Sequence, residues 1–291
     1  MQWLITGCSS GLGLSLAQAV LEQPGQKVIA TSRSPASPEA VQSITSHQNG
    51  AWEALDVAAA DIEARYAAIV AKHGPVDVLI NNAGFAAGGI FEATPVDLAR
   101  RQYETNFFGA FRLMQCVLPV LRESGKGGAI VNISSSVFWQ PQPSTTTYAS
   151  SKWALEGLSE ALVPEVASFN IRVLIAEPGG MRTPFFDPAK LAANTVPLPD
   201  TYKGSPADMF LQAITSGGYV PNLDTDKAAR AIVKEVLTPT VVQGEAGKPS
   251  VPILRLPLGG ESFAAMQETL ARVTLEGEKI KPTALSCDYD A

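Results

Sequence analysis

A tyrosine and a lysine stand four residues apart in the run Thr145-Thr146-Thr147-Tyr148-Ala149-Ser150-Ser151-Lys152. On a helix that spacing places the two side chains one above the other on the same face. A free phenol titrates near ~10 and is a poor acid or base at neutral pH. A nearby ammonium favours the phenolate and lowers that pKa. The pair is therefore suited to exchanging a proton with an alcohol or a ketone. Taken alone, the spacing is more often that of an ordinary surface helix pair. Its meaning depends on what precedes it.

Three glycines, Gly7, Gly11 and Gly13, follow the apolar stretch Trp3-Leu4-Ile5 in Thr6-Gly7-Cys8-Ser9-Ser10-Gly11-Leu12-Gly13. Such a turn from strand to helix lets a pyrophosphate approach the free N–H groups of a helix N-terminus. Arg33 comes twenty residues after Gly13, at the end of a second strand-like run, Lys27 to Ser32. An acid at this place holds the ribose 2′-hydroxyl of NAD, whereas an arginine accommodates the 2′-phosphate of NADP. Neither Thr31 nor Ser32 is acidic. NADP(H) is the expected cofactor, and Ser9 offers a further hydroxyl donor. Asn81-Asn82-Ala83-Gly84 follows Val76 to Ile80, and Ser134-Ser135-Ser136 follows Ile130 to Ile133, with Ser135 thirteen residues before Tyr148. Asn81 reads as a structural amide at a strand end. Pro178-Gly179-Gly180-Met181-Arg182-Thr183 follows a further apolar strand.

In order and register, these motifs resemble the short-chain dehydrogenase/reductase family in its Tyr-x-x-x-Lys form, over residues 1 to about 185. The glycine spacing matches that family's Thr-Gly-x-x-x-Gly-x-Gly. The resemblance implies that Gly7, Ser9, Ser10, Gly11, Leu12 and Gly13 meet the cofactor's phosphates. Asp56 and Val57 would flank the adenine, and Asn82, Ala83 and Gly84 would shape the cofactor cleft. Pro178, Gly179, Met181 and Thr183 would meet the nicotinamide. It also implies that Tyr148 is the general acid/base and that Ser135 holds the substrate oxygen. Lys152 would tune Tyr148 and hold the nicotinamide ribose, and Asn106 would support a water on the way to Lys152. Ser134 and Ser136 compete with Ser135 for the catalytic role; the thirteen-residue spacing favours Ser135.

The implied activity is NADP(H)-dependent reduction of a carbonyl, or the reverse oxidation of an alcohol. Bulky apolar residues at Phe138, Trp139, Phe185 and Phe186, beside Gly180, point to an apolar or aromatic substrate. Hydroxysteroid and retinol dehydrogenases and secondary-metabolite reductases are among the resembled enzymes. Reduction of an imine, or non-catalytic cofactor sensing on the same fold, are the alternatives.

The elements that must position these residues alternate between strand and helix. Strands are expected at 2–5, 27–31, 51–55, 76–81, 128–134, 171–177 and 251–255. Helices are expected to start near Gly11, Pro38, Ala59, Pro95, Tyr148 and Thr225. Alternation of this kind gives a three-layer doubly wound α/β fold, with a mostly parallel, seven-stranded sheet in one domain spanning 1–291. Residues 183 to 221, rich in Pro, Gly and aromatics, read as a loop capping the substrate. Trp153 and Leu155 read as packing residues.

The chain has 291 residues, 46% of them apolar, and a net charge of -6. The charge argues against a nucleic acid partner. No apolar run is long enough for a membrane span. Cys8, Cys116 and Cys287 are odd in number and widely spaced, which suits a reducing, cytoplasmic setting. His47 and His73 stand apart, so no metal site is expected. The apolar residues Phe107, Phe108, Phe111, Leu113 and Met114 exceed one buried stripe, and a homodimer or homotetramer is expected.

Overall fold

The computed structural model describes residues 1–33, 36–244 and 250–288. Strand β1 (Gln2–Ile5) carries the apolar run Trp3-Leu4-Ile5 and lies inside a parallel sheet. Its pleat sends Trp3 and Ile5 into one layer and Leu4 into the other. A strand covered on both faces needs apolar residues at every position, which is why no polar alternation shows in the sequence. Burial of each large side chain stabilises the fold by roughly 1.5–3 kcal/mol.

The chain then alternates as expected. Helix α1 (Gly11–Leu21) leads to β2 (Lys27–Ser32), and α2 (Pro38–Thr45) to β3 (Gly50–Ala54). Helix α3 (Ile62–His73) precedes β4 (Val78–Asn81). Helices α4 (Val96–Tyr103) and α5 (Gly109–Ser124) precede β5 (Gly128–Ile133), and α6 (Thr146–Val166) precedes β6 (Ile171–Pro178). Helices α7 (Pro188–Ala193), α8 (Pro206–Thr215) and α9 (Thr225–Leu237) follow. Short strands β7 (Val241–Val242) and β8 (Val251–Pro252) pair with each other, and β9 (Arg255–Leu258) runs into α10 (Gly260–Leu285).

The seven-stranded sheet has the order β3-β2-β1-β4-β5-β6-β9, and every pairing is parallel. Residues of α1 and α9 pack on one face, and residues of α3, α5 and α6 on the other. The strand order reverses between β1 and β4. In such sheets a ligand crevice opens there, outside the carboxyl ends of the strands.

Two expectations need correction. The seventh strand is Arg255–Leu258, not 251–255. Val251 and Pro252 instead pair antiparallel with Val242 and Val241. Pro257 is tolerated in β9 because the strand is an edge, where its missing N–H breaks no ladder. The 183–221 stretch is also not a plain loop. Its prolines start helices: Asp187 caps α7 by accepting from the Ala189 and Lys190 N–H groups, and Ser205 caps α8 by accepting from Asp208 N–H. Proline fits the first helical position, where its missing N–H has no intrahelical partner to lose.

The 26-residue α10 was not expected. Its first turns pack on the domain through Ser262 and Ala265, while every described residue from Ala271 onward is exposed. No helix among the described residues is long and apolar enough to cross a membrane.

The turn after β1 depends on a close approach. A Cβ on Gly13 would lie 2.3 Å from Gly7 O and 2.5 Å from Asn82 Nδ2. Gly13→Ala must push α1 away from that carbonyl. Overpacking of this kind costs about 1–3 kcal/mol. The expected result is a lower urea midpoint for Gly13→Ala than for an exposed control such as Gly277→Ala; equal midpoints would refute the close-packing account.

Candidate active site

The glycine turn leaves the N-terminus of α1 open. Gly7 and Gly11 have φ of 73° and 58°, values that a side chain disfavours. Ser10 caps the helix in an extended conformation without a side-chain cap bond, and Ser9 is exposed. First-turn N–H groups of α1 thus point out of the turn, as an anionic pyrophosphate requires. Leu12 is buried beneath them. Beside the turn lies a cleft of about 550 Å³ lined by Gly11, Ser15, Arg182, Thr183 and Asp224.

Asn82 ties this turn to β4. Its Nδ2 donates to Thr6 O at 2.8 Å, and Thr6 Oγ1 accepts from the N–H groups of Asn82 and Ala83, each at 3.0 Å. Asn81 donates to Asn132 Oδ1 inside the sheet, a structural amide as read. Arg33 is exposed at the exit of β2. Nearby, Cys8 N–H donates to Thr31 O at 2.8 Å, which places the end of β2 against the glycine turn. Thr31 spends its hydroxyl on Ile5 O. Asp56 accepts from Ala58 N–H, and Val57 is buried with its carbonyl bonded to Arg112.

On the far side of the cleft, Gly179 N–H donates to Leu258 O at 3.0 Å, extending the β6–β9 pairing past Pro178. Met181 bridges to Leu223. Thr183 caps a short turn by accepting from Phe185 N–H, and its side chain faces Gly11 across the cleft. Gly180 is a glycine for a steric reason: a Cβ there would lie 2.1 Å from Tyr219 Oη. That phenol reaches over Gly180 to donate to Glu261 on α10 at 3.1 Å.

The Tyr-Lys pair stands in the first turns of α6, at the carboxyl ends of β4 and β5. Both residues are buried. Lys152 Nζ donates to Ile133 O at 2.8 Å and stands 5.8 Å from the centre of the Tyr148 ring. Ser135 acts on the Tyr148 phenol, favouring its charged form. The three serines separate cleanly. Ser134 is turned inward to Glu156 and Ser136 opens a short helical turn, while Ser135 is the serine that acts on the phenol.

The electrostatics differ from expectation. Burial pushes the Tyr148 phenol up to about 12, with the Ser135 hydrogen bond pulling it back. The lowering expected from Lys152 does not set the direction: taking a phenolate out of water costs more than the Ser135 contact returns. The lysine moves too: burial brings it from its ordinary 10.5 to about 8, opposed by the charge of Glu156. At pH 7 the site therefore holds a neutral phenol beside an ammonium. A neutral phenol is the form that can donate a proton.

Asn106 lies in a π-helical turn, Glu104–Phe108, between α4 and α5. Turns of this kind recur at functional sites. Asn106 grips the backbone of Phe85, donating to its carbonyl and accepting from its N–H, each at 3.0 Å, and also donates to Ser151. A Cβ on Gly84 would lie 3.2 Å from Asn106 Oδ1 and 3.6 Å from Lys152 Nζ. These two residues also line a void of about 10 Å³, at the lower limit for one water.

The expected substrate residues divide. The Phe185 ring is 5.9 Å from Tyr148, and Phe185, Phe186 and Tyr219 continue as an aromatic wall. Phe138 and Trp139 turn instead toward Arg255, whose guanidinium stands 4.5 and 5.2 Å from their rings. Trp153 is not the packing residue expected; it is half exposed against Phe138, while Leu155 is buried. Glu156, Glu177, Arg255 and Glu261 went unmarked in the sequence. The only local signal was Glu156, one helical turn beyond Lys152 on the same face. Among the described residues no cluster fit to hold a metal ion is found.

A doubly wound parallel sheet with an open helix N-terminus at its switch point, and a proton donor beside it, defines a nucleotide-dependent oxidoreductase class. The family model for short chain dehydrogenase matches residues 2–193, and the chain belongs to that family. It is 45% identical over 184 residues to oxidoreductase claN of Passalora fulva, covering 63% of this chain and 83% of that one. It is 37% identical over 187 residues to human retinol dehydrogenase 8, covering 62% and 59%. A short-chain dehydrogenase structure from Streptomyces avermitilis aligns with a TM-score of 0.79 at 31% identity, covering 99% of this chain and 98% of that one.

The buried lysine has a testable cost. Its pKa is lowered on folding, so between about 8 and ~10.4 the unfolded chain binds more protons than the folded one. Wild-type stability therefore rises with pH across that window. Lys152→Met lacks the titration. The stability of Lys152→Met relative to wild type should fall by about 2–3 kcal/mol between pH 7 and pH 10. Urea unfolding at both pH values measures this; a difference that does not change with pH contradicts it.

Proposed function

We propose that this protein is an NADP(H)-dependent reductase of apolar or aromatic ketones and aldehydes, able to run in reverse on the alcohols. The observation that carries the reading is the Ser135–Tyr148–Lys152 group, which puts a protonated phenol at the carboxyl edge of the sheet beside the glycine turn. Gly7, Gly11 and Gly13 form a cradle that a side chain would fill, and such a cradle suits a dinucleotide's pyrophosphate. The bound cofactor supplies hydride chemistry; the protein must orient it and manage one proton.

Each residue has a task in this scheme. The α1 N-terminus and Ser9 hold the phosphates. Arg33 offers a guanidinium to a 2′-phosphate, and no acid at Thr31 or Ser32 opposes it. Pro178, Gly179, Met181 and Thr183 line the place of the nicotinamide, and Lys152 reaches its ribose. Ser135 Oγ donates to the substrate oxygen and fixes its position. Tyr148 Oη gives its proton to that oxygen as negative charge develops there. The ammonium of Lys152 then stabilises the phenolate left behind. Asn106 holds Phe85 and the wall of the void through which the proton on Lys152 is renewed.

Substrate preference follows from the walls. Phe185, Phe186 and Tyr219 present apolar faces within reach of the phenol, and pockets of this composition favour apolar ligands with one placed polar group. Similarity to a retinol dehydrogenase supports the same class. Leu113 and Met114 are core residues and not surplus surface as expected, but Phe108, half exposed in the turn before α5, supports pairing with a second copy.

Two measurements test the reading. Tyr148→Phe should lower carbonyl turnover with NADPH by about 100-fold or more while NADPH affinity, followed by fluorescence, stays nearly unchanged. Retention of substantial turnover removes Tyr148 from the acid role. Wild type should bind NADPH more tightly than NADH, and Arg33→Ala should weaken NADPH about 10- to 100-fold with little effect on NADH, the scale of a charge-assisted contact. Equal affinities for the two cofactors in wild type reject the NADP(H) assignment.

A further inference from the structure

Behind the catalytic helix lies a second polar cluster, which the reaction above leaves unused. Glu156 on α6 and Glu177 at the end of β6 are both fully buried. Their carboxylates share one nitrogen of Arg255 on β9: Nη1 donates to Glu177 Oε1 at 2.5 Å and also to Glu156 Oε2. The other side of the guanidinium donates to Glu160, at 2.7 Å from Nη2 and 3.2 Å from Nε. The outer carboxylate oxygens are also taken. Ser134 Oγ donates to Glu156 Oε1, and the Trp139 indole N–H donates to Glu177 Oε2 at 2.7 Å.

The charge balance is uneven. One guanidinium faces two buried carboxylates and a half-exposed third. Two carboxylates held on one nitrogen, away from water, do not both stay ionised without large cost, so a proton is retained between them. Burial and the charge of Glu177 push Glu156 up to about 7, against the pull of Ser134 and Arg255. Burial raises Glu177 as well. The groups that face Glu156 are Lys152 and Glu160 from α6, Ser134 from the end of β5, Glu177 from β6 and Arg255 from β9. Glu261 of α10 is committed elsewhere, to Tyr219 and Gly180.

Four members of the cluster stand next to residues of the site. Ser134 precedes Ser135, and Trp139 closes the turn that Ser135 caps. Glu177 precedes Pro178 and Gly179. Glu156 is one helical turn from Lys152, whose charge it supports.

We propose that Arg255, Glu156 and Glu177 form a proton-sharing clamp that positions Ser135 and sustains the charge on Lys152, so that Glu156 and Arg255 are positioning residues for the reaction. With the shared proton gone, Glu156 faces Lys152 as an anion and favours the ammonium. With the proton present, that support is withdrawn. The kinetic consequence rests on the carbonyl-reductase reading; the clamp itself rests on the geometry alone.

The test has two arms. In the first, carbon NMR of protein labelled at the glutamate carboxyl carbons is followed from pH 5 to 9, with no substrate. Wild type should show a carboxyl that titrates well above the others, and Glu156→Gln should lose it. If every glutamate in wild type titrates in the ordinary carboxylate range, the clamp is refuted. In the second arm, NADPH oxidation with 9,10-phenanthrenequinone as the carbonyl probe is measured against pH. Glu156→Gln should move the limb assigned to Lys152 to lower pH by about half to one unit, as loss of a neighbouring anion requires. Arg255→Lys should recover part of the rate lost in Arg255→Ala. A Glu156→Gln enzyme that is slower by the same factor at every pH has lost only structure, and overturns the positioning role. If wild type turns over no carbonyl probe, the reductase reading fails while the carboxyl titration still decides the clamp.

Discussion

A lysine ammonium taken out of water must be kept charged by what surrounds it, and much of this molecule is arranged around that requirement. Lys152 gives up hydration and gains Ile133 O at the end of β5. That carbonyl is free to accept because the chain leaves the sheet there. One turn along the same helix Glu156 supplies the opposing charge, and Gly84 leaves room for the side chain to pass. Helix α6 must therefore cross the carboxyl ends of β4 and β5 at one fixed height. The sheet order, the π turn carrying Asn106 and the glycine after β4 all meet that condition.

The same helix is held from its other side. Arg255 joins α6 to β6 and β9, and α10 adds further ties. Ser262 Oγ donates to Glu177 O at 2.6 Å, Thr269 Oγ1 donates to Trp139 O at 2.6 Å, and Glu261 accepts from Tyr219. Both walls of the cleft, the serine turn and the cap, are thus fixed to the first turns of one helix. Breaking a buried ion pair costs more than forming it returns, so this arrangement favours a single register of β9 over neighbouring ones.

The candidate site's groups stand out in the sequence because they are local. The glycine turn spans seven residues and the Tyr-Lys pair one helical turn. Each fully covered strand announces itself as an apolar run. What escaped notice was long-range or mixed in signal. Arg255 meets Glu156 across 99 residues, and nothing near either residue tells of the other. The seventh strand was misplaced because Val251 reads as a better strand former than the Arg and Pro of β9, yet its neighbours pair it into a hairpin. The prolines of the cap suggested a loop; with Asp187 and Ser205 ahead of them they begin helices. Proximity in the sequence suggests that Lys152 lowers the Tyr148 pKa; burial, which the sequence does not show, raises it.

The cation of the clamp is made well after the two carboxylates it joins. When a ribosome has completed β6, Glu156 and Glu177 already exist, but Arg255 is still dozens of residues away. Until it arrives the nascent sheet ends at β6 with an open edge, and the two carboxylates lack the guanidinium that joins them. Open edges of this kind invite wrong pairing. A nascent chain that stalls before β9 therefore holds Ser135, Tyr148 and Lys152 yet cannot close the structure behind them. Synthesis of β9 is what supplies both the edge strand of the sheet and the cation behind α6.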